Sequence, residues 1–216
     1  MILRRRGLIP PVASILIVLA CTLPAAALPS GVFEYRIDRD GAPIGGQRLT
    51  ITQQGEQTIV SMDLKVLVKI AFVTLYRFEQ TRSETWQGAR LIALDTRTND
   101  NGDTLFLKGR ADAADFAIET EKGRSTAPLG LLPTGYWNIA TVDQTRLIDA
   151  EDGRVLAISV SRGAAVTLDL GSRQIDTRHY RISGDTEKEL WYDASNVLVK
   201  IRFKARDGSL IEYILR

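Results

Sequence analysis

Residues 62–78 read MDLKVLVKIAFVTLYRF, and the spacing of the apolar residues in this stretch decides the fold class. The even positions hold Met62, Leu64, Val66, Val68, Ile70 and Phe72, then Tyr76 and Phe78. The odd positions hold Asp63, Lys65, Lys69 and Arg77, with Leu67, Ala71, Val73 and Leu75 in the middle. A period of two is the signature of a strand, whose successive side chains point to opposite faces. A helix would put Lys65 and Lys69 on the face of several apolar residues. The stretch therefore predicts one strand, or two joined by a bend, covered on one face throughout and on both faces at its midpoint.

Outward from this stretch the same alternation recurs. Phe33, Tyr35 and Ile37 alternate with Glu34, Arg36 and Asp38, and Val197, Val199, Ile201 and Phe203 alternate with Lys200, Arg202 and Lys204. Asp-Gly or Asn-Gly pairs fall between alternating runs at 40–41, 101–102, 152–153 and 207–208. Such pairs accept the positive φ of tight hairpin turns. Roughly eleven to thirteen strands follow, at the spacing of an all-β protein. Hairpins taken in sequence imply antiparallel neighbours, and no gap is patterned for βαβ units. The expected fold is all-β: a single large antiparallel, strongly curved sheet or an incompletely closed β-barrel.

The N-terminus is set apart. Arg4, Arg5 and Arg6 precede an apolar run from Leu8 to about Cys21, and Pro24-Ala25-Ala26-Ala27 offers a small-residue cleavage site. The run is shorter than the ~20 residues of a spanning helix. A signal peptide over 1–27 is expected, leaving one β-rich domain over 28–216 in the periplasm. The alternative is a membrane-anchored lipoprotein acylated on Cys21, within Val18-Leu19-Ala20-Cys21; the A-x-A site favours the soluble product. Lys and Arg number 28 and Asp and Glu 26, so losing the three arginines moves the net charge from +2 to about −1. That balance gives no basis for nucleic-acid binding. Cys21 is the chain's one cysteine, so the mature part has no disulfide and relies on its core.

Residues 126–145, TAPLGLLPTGYWNIATVDQT, break the alternation. Two prolines and two glycines forbid a long strand, yet Leu129, Leu131, Leu132, Tyr136, Trp137 and Ile139 need cover. A crossover that plugs one end of the sheet is favoured over a lid on a cavity, with a short helix near Asn138 to Asp143.

No catalytic constellation emerges, and no cofactor is called for. His179, the one histidine, lies in a strand-patterned run without a G-x-S-x-G elbow, which reads as packing. Glu79 with Glu84, and Glu187 with Glu189, are carboxylate pairs, but alternating charge on a wet strand face explains them. Asp95 to Thr104 is acidic but lacks the spacing of a calcium loop, and Asn101-Gly102 makes it a hairpin turn first. Metal ligands are not assigned. Arg77, Arg82, Arg90 and Arg97 are expected to face outward or to pair across strands.

Four stretches, YRIDRDGAPIG, IAFVTLYRFEQTRSETWQGARLIALDTRTNDNG, PLGLLPTGYWN and ELWYDASNVLVKIRFKARDGSLIEYILR, resemble an uncharacterised family of exported proteins of Gram-negative bacteria, the domain-of-unknown-function family numbered sixty-one thirty-four. The resemblance runs over nearly the whole mature chain and implies little about activity. By fold analogy it implies a half-open barrel like those of lipoprotein-localisation carriers, which hold acyl chains.

Two function classes are left. The first, preferred, is a periplasmic binding or carrier module for an apolar ligand such as a lipid. Its expected contacts are Met62, Leu64, Val66, Val68, Ile70 and Phe72, with Tyr136 and Trp137 near the mouth. The second is a structural or envelope-assembly protein with a filled interior, acting through its surface or a strand edge. Membrane contact is expected only through a lipid on Cys21 or transiently. The sequence leaves the oligomeric state open.

Overall fold

The computed structural model describes residues 30–70, 73–171 and 173–216. The expected signal segment 1–27, with Cys21, and the candidate contact Phe72 lie outside the described residues.

Eight strands run as a meander: β1 (Gly31–Arg39), β2 (Ala42–Gln54), β3 (Gln57–Ile70), β4 (Val73–Gln87), β5 (Arg90–Asp100), β6 (Asp103–Ala111), β7 (Asp115–Thr120) and β8 (Gly123–Pro128). After the crossover come the short β9 (Leu132–Pro133) and β10 (Arg146–Ile148). A second meander follows: β11 (Val155–Asp169), β12 (Gln174–Gly184), β13 (Lys188–Tyr192), β14 (Leu198–Lys204) and β15 (Leu210–Leu215). All belong to one 15-stranded sheet in the order β8-β7-β6-β5-β4-β3-β2-β1-β15-β14-β13-β12-β11-β10-β9. The all-β, antiparallel, unclosed sheet is the expected fold. The strand number exceeds the eleven to thirteen expected because β9 and β10, two and three residues long, are too short to show a period.

The deciding stretch forms two strands. β3 and β4 pair from Gln57↔Gln87 to Ile70↔Val73, with a register shift between Val68 and Lys69. Asp40 and Gly41 take φ of 48° and 81°, and Asn101 and Gly102 take 55° and 108°. These are the left-handed conformations a two-residue hairpin turn requires, because they match the right-handed twist of the strands. β11 runs unbroken past Gly163, which it absorbs in a bulge between Arg162 and Ala165.

The sheet curls until its far ends share one core. Tyr35 on β1 donates its hydroxyl to the Leu198 carbonyl at 2.9 Å. Tyr192 on β13 donates to the Tyr136 carbonyl at 2.5 Å. At the β10–β11 turn, a Cβ on Gly153 would stand 2.7 Å from Ile118 Cγ2 on β7. Leu49, Val60, Trp86, Leu107, Ile148, Ile182 and Leu190 fill the enclosed face. Bulges, such as those at Ile37/Asp38 and Thr85/Trp86, supply the local bends a closing sheet needs.

Candidate functional site: a half-filled interior

The inward residues of β4 describe the interior from mouth to floor. Tyr76, Phe78, Gln80, Arg82, Glu84 and Trp86 share one face and become progressively more buried, down to Trp86 at 0% exposure. At ~3.3 Å per residue, Tyr76 and Arg82 are about 20 Å apart along the strand. Above Arg82 the interior is a cavity of about 920 Å³; below it, the space is packed. The exposed lining residues Leu75, Lys204, Arg206 and Asp207 put the mouth between the β3–β4 hairpin and the β14–β15 turn.

One wall is the inward face of β3, Met62, Leu64, Val66 and Val68. Facing it are Leu156, Ile201, Phe203, Ile211 and Tyr213. Both walls are apolar because alternation on each strand turns its apolar set to the concave side. Ile70 continues β3, and its side chain is outside the described ones.

The floor is polar. Arg82 Nε lies 3.1 Å from Glu84 Oε1, with the two side chains 4% and 0% exposed. Glu84 Oε2 accepts hydrogen bonds from Trp86 Nε1 at 2.9 Å and Trp137 Nε1 at 3.0 Å. The Arg82 Nε–Glu84 Oε1 approach lacks hydrogen-bond geometry, so charge attraction and not a directed bond holds that contact. The indoles of Trp86 and Trp137 meet edge to face at 5.7 Å. Gly135 lets the crossover approach closely: a Cβ there would stand 2.6 Å from Arg82 Nη2.

The crossover is thus a plug, and it makes the floor. Its 3-10 helix, Ile139–Asp143, is capped by Asn138, whose Oδ1 accepts from Ala140 N at 3.0 Å. Tyr136 lines the cavity, while Trp137 lies beneath it against Glu84. The expected place of these two residues near the mouth is therefore corrected. Pro133 and Gly135 turn the chain inward, so the aromatic pair enters the barrel where a lid would have covered it. Arg82, expected outward or in a cross-strand pair, faces inward and pairs with Glu84 on its own strand.

The remaining ionisable groups cluster toward the mouth. Burial and a hydrogen bond to Asp100 raise the Tyr76 hydroxyl above its usual range. Burial raises the Asp149 carboxyl, opposed by the Glu151 N–H, which donates to Asp149 Oδ1 at 2.9 Å. Glu151 is raised by burial and by Asp149, Asp100 and Asp152. Lys188 is pushed down to about 8 by burial, with Asp149 acting in the opposite sense.

The other candidates disperse. Glu79 faces out toward Arg77 at 3.7 Å while Glu84 faces in, so that carboxylate pair is on opposite sides of one strand. Glu189 lies on the outer face with Arg181 at 2.8 Å and with Arg202, and Glu187 is exposed in the preceding loop. His179 stacks on Trp191 at 4.6 Å, and a Cβ on Gly163 would meet its Nδ1 at 2.4 Å. The ring is clamped between two strands, and burial lowers its basicity. In the acidic 95–104 run, Asn99 Oδ1 accepts from Gly102 N at 2.8 Å, closing the turn, and Asp95 pairs with Arg110 at 2.8 Å.

Sequence reasoning missed Arg82, Glu84 and Lys188. The signal was present: Tyr76 and Phe78 set a phase that Gln80, Arg82, Glu84 and Trp86 continue, and Leu190 and Tyr192 put Lys188 on the inner face.

Comparison with known proteins agrees with this architecture. Residues 35–216 match the family described as Domain of unknown function (DUF6134). The crystal structure of a beta-barrel-like protein of domain of unknown function DUF1849 from Brucella abortus is similar at a TM-score of 0.63 and 11% identity, over 86% of this chain and 94% of that one. At that identity the likeness is one of fold. No curated protein matches the chain.

Proposed function

The chain belongs to the DUF6134 family of domains of unknown function, and from that premise we propose that it is an exported, periplasmic binding or carrier module for an apolar ligand such as a lipid. The observation carrying this reading is the cavity of about 920 Å³ between two apolar walls, open at one end and floored at the other. Small-molecule sites are concave, mostly apolar and ~300–1,000 Å³, with a few polar groups that fix orientation. A well-packed interior leaves few voids larger than a water molecule. The β3 contacts Met62, Leu64, Val66 and Val68, with Tyr136 at the floor, are the residues such a ligand would touch. Arg206 and Lys204 stand at the entrance.

Native mass spectrometry of the protein purified from its own periplasm tests this. The expected result is a bound lipid mass that denaturation releases. A clean apo mass, together with no uptake of an apolar fluorophore, would count against a carrier. It would favour a structural element acting through β8, which among the described residues ends the sheet with one side unpaired.

A further inference from the structure

Lys188 opens β13 and points to the same side as Leu190 and Tyr192, both 0% exposed. It belongs to the cavity wall away from β3, with β14, β15, β1 and β2 between them in the sheet. Its ammonium lies 3.4 Å from the centroid of the Phe203 ring. Among the described residues, no carboxylate oxygen lies within 4.0 Å of it. The ring offers attraction but no hydrogen-bond acceptor of ordinary strength, so the donors of Lys188 are left to whatever fills the cavity.

Two of the other cations of the cavity are already ion-paired. Arg82 faces Glu84 at 3.1 Å, and Arg39 holds Asp207 at 2.6 Å. Asp149 accepts the Glu151 N–H at 2.9 Å. Glu151, surrounded by Asp149, Asp100 and Asp152, is disfavoured as an anion and is the cavity acid that a cationic ligand would seek. Lys204 and Arg206 are exposed at the rim, where water screens them. A half-buried cation beside an apolar wall is complementary to a molecule that is anionic at one end and apolar along its length.

We infer that the cavity takes a single-chain anionic amphiphile of the fatty-acid class, its carboxylate on Lys188 Nζ and its chain against the Met62–Val68 face of β3. This rests on the binding role proposed above and adds the chemistry of the ligand's head. Nothing covalent is involved. The head accepts hydrogen bonds from the ammonium, and the chain replaces water along both walls.

Titration calorimetry on the full mature chain with laurate, lauryl alcohol and laurylamine, each below its micelle concentration, separates the two levels. A charge-assisted hydrogen bond of ordinary strength makes laurate bind about ten-fold or more tightly than lauryl alcohol. Laurylamine is expected to bind more weakly than the alcohol. In Lys188→Met, whose fold is checked by near-UV circular dichroism, the laurate-to-alcohol ratio is expected to fall to within about two-fold while the alcohol still binds. If Lys188→Met fails to fold, Lys188→Gln serves, with the same loss of preference expected. Equal binding of laurate and alcohol by the wild type, or a ratio unchanged in the variants, overturns the head-group assignment and leaves the apolar cavity standing. Tightest binding of laurylamine also overturns it and points to Glu151. Binding of none of the three overturns the assignment and the carrier reading together.

Discussion

Arg82 and Glu84 stand two residues apart on the inner face of β4, 3.1 Å from Nε to Oε1, where both side chains are almost wholly out of water. Their relation is asymmetric. Glu84 also accepts from two indole N–H groups, whereas Arg82 has Glu84 as its carboxylate and otherwise donates to the Met62 sulfur at 3.3 Å. The pair forms the boundary between the filled part of the barrel and the open part.

Breaking the pair from either side is therefore expected to cost different amounts. Glu84→Gln leaves a buried guanidinium without a counter-charge and should destabilise by about 3–5 kcal/mol. Arg82→Met leaves a carboxylate that keeps both indole donors and should cost less, about 1–3 kcal/mol. The double variant is expected to recover part of the Glu84→Gln loss. Urea midpoints with matched m-values measure all three; equal single-variant losses that simply add would refute the coupling.

Gly135→Ala places a methyl group 2.6 Å from Arg82 Nη2 and 3.1 Å from Trp137 Cδ1. The methyl group must displace the Arg82 guanidinium or the Trp137 ring, so a loss of about 1–3 kcal/mol is expected, with a changed tryptophan emission from Trp86 and Trp137. An unshifted spectrum and midpoint would mean the floor yields.

Tyr192→Phe removes the hydroxyl that donates to the Tyr136 carbonyl at 2.5 Å. The orphaned buried carbonyl is expected to cost about 1–3 kcal/mol. Tyr136 lines the cavity, so uptake of an apolar fluorophore should change as well. A neutral variant would show that water takes the donor's place.

Lys188→Met is expected to stabilise the protein. The amine is pushed down to about 8 in the folded state, against ~10.4 when unfolded. Below pH 8 both states carry the proton and the folded state bears the cost of a half-buried charge. Between about 8 and 10 the unfolded state holds more protons, so wild-type stability rises with pH. Asp149 is the charged group that acts on it, favouring the protonated amine, and the Phe203 ring lies against the ammonium. Chemical denaturation at pH 7 should show the variant about 1–2 kcal/mol more stable, narrowing toward pH 10. A pH-independent difference would indicate lost packing alone.

Val66→Trp adds bulk to the β3 wall at a half-buried, cavity-lining position. With empty space in front of it, the indole is expected to be accepted at a cost below about 1.5 kcal/mol, while binding of an apolar fluorophore falls several-fold. Full retention of binding would place the ligand elsewhere.

The sequence by itself determined the long strands, because a period of two and left-handed turn residues act within a few positions of each other. Met62, Leu64, Val66 and Val68 had to share a face, Asp40-Gly41 and Asn101-Gly102 had to turn, and the crossover had to bury its leucines and aromatics. The tertiary structure alone decided which inward positions meet. Arg82 and Glu84 were readable as inward from the phase of Tyr76 and Phe78, but a buried pair is credible only once Trp137, 53 positions from Glu84, delivers its N–H to the carboxylate. Whether alternating apolar faces enclose a packed core or a cavity depends on how far the sheet curls and how deep the plug enters. Those distances are set by contacts between segments remote in the chain, and no local pattern encodes them.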